Sequence, residues 1–435
     1  MRLWSLCAAL LLAFILSACS HGSFKRPGGF SIMQGLTAET TVEFTVLIPK
    51  LQQGRFTVIT PQGETLAPEK MEVVSRPHSD WAVHKIRFAN IVHSPENFQL
   101  VVEDTAGTRD QRTFKLFSNQ GDKLRFVMAS CMDTEYPEEQ KQMWDEVAKA
   151  NPEWLFLIGD NFYINHDSPE VTDAQKIWDG YIKGRHQYQL YYLKHLIPTY
   201  GVWDDNDYGQ NNGNKTYALK EESAAVFKTF FAQSHGAEFF TPGPGISGRL
   251  ALRGMHFAFL DNRSFRDSET NGEHFGLDQE TWLFDDLKKA QLPTWIISGD
   301  QFFGGYHKFE SFEGNHPQAF EKFLLRIKEV STPFVFVSGD RHMTEIMQFP
   351  RALLGQLSFE FTTSPMHSKL YAGKSAETPN PWRVVMKDDS FNYLLVDTAL
   401  LETSWNIQAN AWGPTGLLFQ RDLSLTTEAL KDFTI

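Results

Sequence analysis

The fold of this chain is decided by residues 154–163, which read Trp-Leu-Phe-Leu-Ile-Gly-Asp-Asn-Phe-Tyr. A continuous apolar run that stops at Gly-Asp is typical of a strand that is buried on both faces of a sheet. The acid that ends this run, Asp160, is expected to project its carboxylate from the carboxyl edge of the sheet. Four further apolar runs end in the same way, at Asp204-Asp205, Asp261, Asp300 and Asp340. Open α/β sheets bind their ligands along this edge, so the pattern predicts a cluster of acidic side chains at one site.

Clustered carboxylates repel one another, and bound cations are the natural way to offset that repulsion. The pattern therefore predicts a hydrolytic site with more than one metal ion. A single acid after a strand is a weaker signal, because it can equally cap a helix or form a turn.

Other candidate ligands lie close to these strand ends in the sequence. Tyr163 follows Asp160 by three residues, and Cys131 ends the preceding strand of the same predicted βαβ unit. Asp340 and His342 form an alternating pair after another strand. Phenolate and thiolate are unusual ligands for calcium or magnesium, but both bind ferric iron. The set therefore predicts iron at the thiolate and phenolate and a hard cation among the carboxylates, although Cys131 alone would be interpreted as a small buried hydrophobe.

The composition is that of a folded protein: of 435 residues, 42% are hydrophobic and 22% are charged. At about 150 residues per domain, this length allows roughly two or three domains. The formal net charge of −12 at pH 7 argues against a nucleic-acid-binding surface, because phosphate backbones require a basic footprint. A small anionic substrate is compatible with this charge if metal ions reverse its sign locally.

The N-terminus has the pattern of an export signal. Arg2 precedes an apolar run over residues 3–18 that is too short for a membrane span, and the run leads into Cys19. This ending resembles the bacterial lipobox, whose cysteine is lipidated after cleavage; a plain secretory signal that happens to contain Cys19 is the alternative. The resemblance implies a cell-envelope protein held at the membrane by a lipid on Cys19, and Ser20 favours the outer membrane, facing the periplasm or the exterior. Cys131 would then be the only thiol of the mature chain.

The chain divides into segments of different pattern. Short alternating runs between turn residues predict a small β-sandwich, for which a packing or positioning role is expected. Farther on, apolar runs alternate with helical patterns, and that alternation predicts an α/β domain. The predicted boundaries are 1–19 for a lipoprotein signal peptide, 20–36 for a tether, 37–120 for the β-sandwich and 121–435 for the α/β domain. The α/β domain is expected to open with the βαβ unit at 124–160 and to contain helices at about 221–234, 278–290 and 316–330.

As a set, these motifs resemble one family: the bacterial alkaline phosphatases of the D type, within the calcineurin-like metallophosphoesterase superfamily. The similarity covers about residues 124–345. It implies a two-sheet α/β metallophosphoesterase sandwich preceded by the small N-terminal β-sandwich domain. The matching segments are Ala129-Ser130-Cys131, residues 159–163, residues 203–209, residues 260–267, residues 279–283 and Ser338-Gly339-Asp340-Arg341-His342.

The resemblance implies a ligand set for two ions. A ferric ion would be surrounded by Cys131, Asp160, Tyr163 and His342. Asp160 would bridge to a second ion, calcium or another divalent cation, with these further ligands: Asp205, Asp340, and Asp300 or Gln301.

The resemblance also implies the residues that contact substrate. Arg263 would hold the phosphate, which suits its bidentate fork. Arg266 is a second candidate, although it could instead pair with Asp267.

The chain departs from the family at Asn206, where relatives commonly carry a histidine beside the leaving oxygen. Asparagine can donate a hydrogen bond but not a proton, so acid catalysis would be lost at this position. Either the substrate leaves easily, or the site has diverged in activity, or another group supplies the proton, for which the candidates are His166, His274 and His307.

The predicted activity is a metal-dependent phosphoric ester hydrolase, acting on monoesters or diesters. Two ions about 4 Å apart could hold a hydroxide that attacks the phosphoryl group while they neutralise its oxygens. The expected partner is a phosphate-ester small molecule or a lipid headgroup. A covalent serine mechanism is disfavoured because the sequence contains no Gly-x-Ser-x-Gly motif.

Two alternatives stay open. The chain could be a catalytically weakened, metal-binding envelope lipoprotein, and Asn206 is the residue that favours this. It could also hydrolyse another class of ester with the same metals.

Overall fold

The computed structural model of the protein describes residues 28–233, 239–373 and 378–426. The predicted signal peptide, including Cys7 and Cys19, lies outside these ranges. None of the described helices is long and apolar enough to cross a membrane.

The first part of the described chain forms two four-stranded antiparallel sheets. One has the order β1-β2-β6-β5 and the other β4-β3-β7-β8. Apolar side chains from both sheets, such as Phe44 and Phe114, share one core, with their rings 5.2 Å apart. The strands are β1 (Ser31–Thr37), β2 (Val42–Pro49), β3 (Gly54–Ile59), β4 (Thr65–Leu66), β5 (Lys70–Ser75), β6 (Trp81–Phe88), β7 (Phe98–Asp104) and β8 (Arg109–Phe114).

The predicted tether at 20–36 is wrong at its C-terminal end. Residues 31–37 form the strand β1, which pairs with β2 from Ser31↔Leu47 onward and is buried along its length. Residues 20–30 are rich in Gly, Ser and basic residues, and β1 itself contains Gly35 within the predicted tether, so the strand was not recognised in the sequence. The predicted division at 120/121 falls between β8 and the next strand.

The second part of the chain is a mixed α/β arrangement that contains two larger sheets. A six-stranded sheet has the order β11-β10-β9-β20-β21-β22, in which β9, β10 and β11 are parallel and the rest antiparallel. Its strands are β9 (Lys123–Ala129), β10 (Trp154–Ile158), β11 (Thr199–Val202), β20 (Tyr393–Leu400), β21 (Ser404–Gly413) and β22 (Gly416–Thr426).

An eight-stranded sheet has the order β12-β13-β14-β15-β16-β18-β17-β19, with β14, β15, β16 and β18 parallel. Its strands are β12 (Phe240–Pro242), β13 (Gly248–Leu252), β14 (Met255–Phe259), β15 (Thr294–Ile297), β16 (Phe334–Ser338), β17 (Thr344–Phe349), β18 (Ser358–Thr362) and β19 (Arg383–Lys387).

The helices lie mainly between these strands. They are α1 (Pro137–Ala150), α2 (Ala174–Gln187), α3 (Asp205–Tyr208), α4 (Lys220–Phe230), α5 (Leu277–Ala290), α6 (Phe312–Asn315), α7 (Pro317–Ile327) and α8 (Arg351–Leu354), with a 3₁₀ helix at Gln189–Tyr192. Helix α1 begins at a proline, carries two acids in its first turn and buries Met143, Trp144 and Val147 on one face, as the sequence predicts. Helix α4 ends before the predicted 234, because Phe231 is already extended.

The two larger sheets pack face to face through aromatic side chains. The ring of Phe126 in β9 lies 5.2 Å from that of Trp295 in β15, and Phe156 in β10 lies 5.2 Å from Phe259 in β14. Each such side chain removes a large apolar area from water, so this layer supplies much of the hydrophobic stabilisation. The stacking also brings the carboxyl ends of β9, β10, β15 and β16 to one edge of the molecule.

Candidate metal centre

Four of the predicted ligands lie in backbone turns of unusual conformation. Positive φ angles occur at Cys131 (58°), Asp160 (52°), Asp340 (63°) and His342 (51°). Non-glycine residues rarely adopt this region, and such strain concentrates at functional sites. The turns that follow β9, β10 and β16 therefore hold these side chains in orientations that an ordinary strand end would not give.

Glycine precedes the acid in two of these turns because the two sheets approach each other closely. A Cβ at Gly159, whose φ is 105°, would lie 3.1 Å from the Cα of Gly299, which follows β15 of the other sheet, and 2.8 Å from the Cβ of Asp204 in its own sheet. A Cβ at Gly339 would lie 2.7 Å from the Oγ of Ser130. The Gly-Asp motif thus lets strands from both sheets end at a single point.

The first ligand group contains a thiol, a carboxyl and an imidazole. Ligand atoms of Cys131, Asp160 and His342 all lie within 4.8 Å of one another. The hydroxyl of Tyr163 lies 3.1 Å from Nε2 of His342 and 3.2 Å from Oγ of Ser368. These four predicted ligands therefore converge, as the sequence suggests.

A backbone hydrogen bond fixes the orientation of the His342 ring on the side away from the ligand group. Its Nδ1 faces the backbone carbonyl of Lys369, which can only accept a hydrogen bond. Nδ1 must therefore carry the proton, and Nε2 is left as the lone-pair nitrogen that faces the group.

The second ligand group consists of four carboxyl groups. Oxygen atoms of Asp160, Asp204, Asp205 and Asp340 lie within 4.8 Å of one another. Asp160 belongs to both groups, so its carboxylate is placed to bridge two ions. Asp204 is a member of this group that was not predicted from the sequence to be a ligand.

Burial and mutual repulsion dominate the electrostatics of these groups. Burial, together with the charges of Asp205 and Asp204, raises the pKa of Asp160 well above its usual range. Burial also raises the pKa of Asp340, to about 6, although Arg341 opposes this. Burial and the charge of Asp160 raise the pKa of the Cys131 thiol.

This chemistry fits resident cations. Asp204 is fully buried, and its Oδ2 has no hydrogen-bond partner among the described residues. A buried, unpaired carboxylate oxygen is costly unless a cation or donor meets it. The four-carboxylate group suits a hard cation, and the sulfur, imidazole and phenol suit a transition metal such as iron.

The predicted ligands Asp300 and Gln301 do not join these groups. Asp300 is buried beside Arg266 and His274; it forms an ion pair with Arg266, and its Oδ2 lies 3.1 Å from Nε2 of His274. Although burial opposes ionisation, the charge of Arg266 and the hydrogen bond with His274 hold the pKa of Asp300 well below its usual range. The amide nitrogen of Gln301 donates to Glu345 at 2.6 Å. The expectation that either is a ligand is not supported, because partners distant in sequence engage both side chains.

The two predicted arginines are also engaged inside the protein. Arg263 is fully buried, pairs with Asp204 and Glu310, and is not among the residues that line the cavity described below. Arg266 pairs with Asp300 rather than with Asp267. These contacts do not support the expectation that Arg263 holds the phosphate, because its charge is paired with two buried acids.

Asn206 lies at the centre of the site. Its Nδ2 donates to Asp160 Oδ2 and to Asp205 Oδ1, both at 2.9 Å, and its backbone N–H donates to Asp160 Oδ1 at 3.1 Å. The side chain of Asn206 thus orients two carboxylates.

The two groups open onto a cavity of about 610 Å³. Among the predicted site residues, those that line it are Asp160, Tyr163, Asp205, Asn206, Asp340 and His342. Of the three candidate proton donors, His166 and His307 also line it. His274 does not; it is buried beside Asp300, and burial lowers its pKa to about 3.

A third acidic group lies at the same cavity and was not foreseen. Asp133, Glu135 and His166 have ligand atoms within 4.8 Å of one another. Asp133 Oδ1 is 2.8 Å from His166 Nε2, and this hydrogen bond raises the pKa of His166. No spacing in the sequence links these residues, because they follow two different strands.

Comparison with known proteins assigns no family to the chain. No family model matches it, and no curated protein matches it. Among solved structures, one match is amylomaltase from Corynebacterium glutamicum, with 11% sequence identity and a TM-score of 0.16, covering 35% of this chain and 23% of that chain. A TM-score this low carries no information about fold or function.

Proposed function

We propose that this protein is a metal-dependent phosphoric ester hydrolase, similar to alkaline phosphatase D, and that its two stacked sheets form a metallophosphoesterase sandwich. The observation that carries the proposal is the position of Asp160, whose carboxylate belongs to both ligand groups at the floor of the cavity. Bridging carboxylates are the means by which a protein holds two cations close enough to act on one phosphoryl group.

The bound cations would supply two things: a water of lowered pKa as nucleophile, and positive charge for the phosphoryl oxygens. The chain's residues do the positioning. Asn206 holds the carboxylates of Asp160 and Asp205 in fixed orientations, and His342 is held by the carbonyl of Lys369. Because Asn206 cannot give up a proton, esters whose alkoxide leaves easily are the favoured substrates.

We infer ferric iron beside Cys131 and Tyr163, and calcium or another divalent cation among the carboxylates. The donor types support this division, since thiolate and phenolate are rare on calcium. Lipid anchoring at Cys19 in the cell envelope remains part of the proposal, from the sequence alone.

The test is hydrolysis by the purified protein of p-nitrophenyl phosphate, bis(p-nitrophenyl) phosphate and p-nitrophenyl acetate, before and after chelation. The proposal predicts turnover of a phosphoric ester that disappears with chelator and returns with iron and calcium. The Asp160→Asn variant is the control for metal-independent background. Turnover of the carboxylic ester alone would assign the site to another class of hydrolase.

A second candidate is a metal-binding envelope protein with little catalysis. The observation that favours it is the side chain of Asn206, which is bonded to two ligand carboxylates and offers no acid to a leaving group. Full metal content without turnover of any phosphoric ester, including aryl esters, would establish this alternative.

A further inference from the structure

We propose that Arg341 is the residue that binds the phosphoryl group of the substrate, a role that the motifs assign to Arg263. This inference rests on the proposed function and names a binding residue of the same cavity. It follows from where the two arginines lie and from what already occupies their guanidinium groups.

The guanidinium group of Arg263 is engaged by two acids in the protein interior. Its Nε donates to Asp204 at 2.6 Å, and its Nη2 lies 2.7 Å from Glu310 Oε2. Releasing a buried guanidinium from two carboxylates would leave those charges uncompensated, which is strongly unfavourable. Arg263 is thus a structural counter-charge for the acids of the site.

Arg341 has a different environment. It lines the cavity, and its side chain is 12% exposed. Its one ion pair in the described part of the chain is to the adjacent Asp340, at 3.3 Å, and its guanidinium carbon lies 5.6 Å from the ring centre of Tyr306. Its Nε is buried and has no hydrogen-bond partner among the described residues. A guanidinium group that lies over an aromatic ring and keeps one N–H without a hydrogen-bond partner can donate that N–H to an oxyanion.

The position of Arg341 in the chain places it beside both ligand groups. Asp340 belongs to the four-carboxylate group and His342 to the group that contains Cys131. The turn that carries both ligands therefore also carries the arginine. An oxyanion bound between the two ligand groups would lie next to Arg341. A cation bound by Asp340 would also weaken the attraction of that carboxylate for Arg341, which frees the fork for the substrate.

Two permanently charged basic residues line the described part of the cavity, Arg341 and Lys369. Lys369 is exposed, and its Nζ lies 5.1 Å from the ring centre of Tyr371. A flexible, hydrated ammonium attracts anions without fixing their orientation, whereas the planar guanidinium can bind two oxygens at once. Arg341 is therefore the residue that orients the phosphoryl group.

The experiment measures the binding of inorganic phosphate to the iron- and calcium-loaded protein by calorimetry, with metal content determined on the same samples. Arg341→Met is expected to weaken phosphate binding about tenfold or more at unchanged metal content. Arg341→Lys, which keeps the charge but not the fork, is expected to bind phosphate with intermediate affinity. The KM for p-nitrophenyl phosphate should rise in parallel.

The matched control is Arg326→Met. Arg326 also lies over an aromatic ring, Phe284 at 4.0 Å, and pairs with an acid, Glu280, but it lies on helix α7 outside the cavity. Its replacement should leave phosphate affinity unchanged. If Arg341→Met loses metal, Arg341→Lys carries the test: reduced phosphate affinity at full metal content supports the role.

Two failures are distinguishable. Arg341 variants that hold their metals and bind phosphate as the wild type does would overturn the role of Arg341 while leaving the proposed function intact. A metal-loaded wild type that neither binds phosphate nor hydrolyses any phosphoric ester would overturn both.

Discussion

Two aspartates at strand ends, Asp204 and Asp300, have different roles although each follows an apolar run. Asp204 pairs with Arg263 through Oδ1, but its Oδ2 has no hydrogen-bond partner in the described chain. Both oxygens of Asp300 are engaged, Oδ2 by Arg266 and Oδ1 by Asn262 and Ser298. The partner, and not the motif, decides whether a buried carboxylate is available to a cation.

The two residues should respond differently to removal of their charge. Asp204→Asn is expected to weaken binding of the hard cation by about tenfold or more, because affinity depends on the number of charged ligands. Asp300→Asn should leave metal affinity unchanged but cost about 3 kcal/mol of unfolding free energy, since Arg266 loses its buried partner. Calcium titration of the metal-depleted proteins and urea denaturation measure the two effects. If Asp300→Asn lost metal affinity and Asp204→Asn did not, Asp300 and not Asp204 would be the metal ligand.

At the scale of the element, the turn after β10 depends on a glycine. Gly159→Ala is expected to lower both stability and metal affinity, because the new Cβ meets Asp204 at 2.8 Å and displaces it from Asp160. The matched control is Gly63→Ala, where φ is also positive, at 88°, but no atom lies within 4 Å of the new Cβ. The control should lose only the backbone contribution, about 1 kcal/mol. Equal effects of the two substitutions on metal affinity, measured by calcium titration, would show that the close approach is unimportant.

Strand β6 carries a buried histidine that should make stability depend on pH. The neighbours of His84 across the sheet are Val46 and Val73, and burial lowers its pKa to about 4. The ordinary value near 6.5 applies to the unfolded chain, so between these values the unfolded state binds more protons and stability falls as pH falls.

The expected loss from His84 is on the order of 2 kcal/mol between pH 6.5 and pH 4. The His84→Leu variant should show a smaller loss over this range, as measured by urea denaturation at a series of pH values. A variant with the same pH slope as the wild type would exclude His84 as the cause.

At the scale of the whole molecule, one buried arginine joins the β-sandwich to the α/β domain. Arg185, in helix α2, donates to the carbonyl oxygens of Ser31, Thr45 and Phe230 at 3.3, 3.0 and 2.9 Å. Two of these acceptors lie in β1 and β2 of the sandwich, so this one side chain makes several of the bonds across the interface. Others include Trp178 Nε1 to Ser79 Oγ at 3.0 Å and the Leu36 N–H to the carbonyl of Ala232 at 2.8 Å. Together with the pairing to β2, the contact with Arg185 makes β1 an integral strand and not part of a tether.

Arg185→Met is expected to cost about 3 kcal/mol, because several buried carbonyl groups lose their donor. Arg55→Met, which removes an arginine that is 78% exposed, is the control and should cost less than about 1 kcal/mol. Urea denaturation followed by tryptophan fluorescence measures both. Arg185→Met with wild-type stability would mean that the interface does not depend on these bonds.

The sequence predicts which ligand side chains come together better than it predicts the buried partners of those and neighbouring side chains. Cys131, Asp160, Tyr163 and His342 could be placed together because parallel strands end at a common edge, and a continuous apolar run identifies each buried strand. The engagement of Arg263 could not be predicted, since its partner Glu310 follows no strand pattern and lies 47 positions away. The strand β1 was missed for a related reason: its burial comes from pairing with β2 and from Arg185, both outside its own pattern.

The most direct test of the central claim, that Asp160 bridges two cations, is the metal content of purified wild type and Asp160→Asn after growth with iron and calcium, measured by mass spectrometry with inductively coupled plasma. We expect two metal ions per wild-type chain, one for each ligand group, and loss of both from a folded Asp160→Asn protein. An Asp160→Asn protein that keeps the wild-type metal content, or a folded wild type that binds no metal, would contradict it.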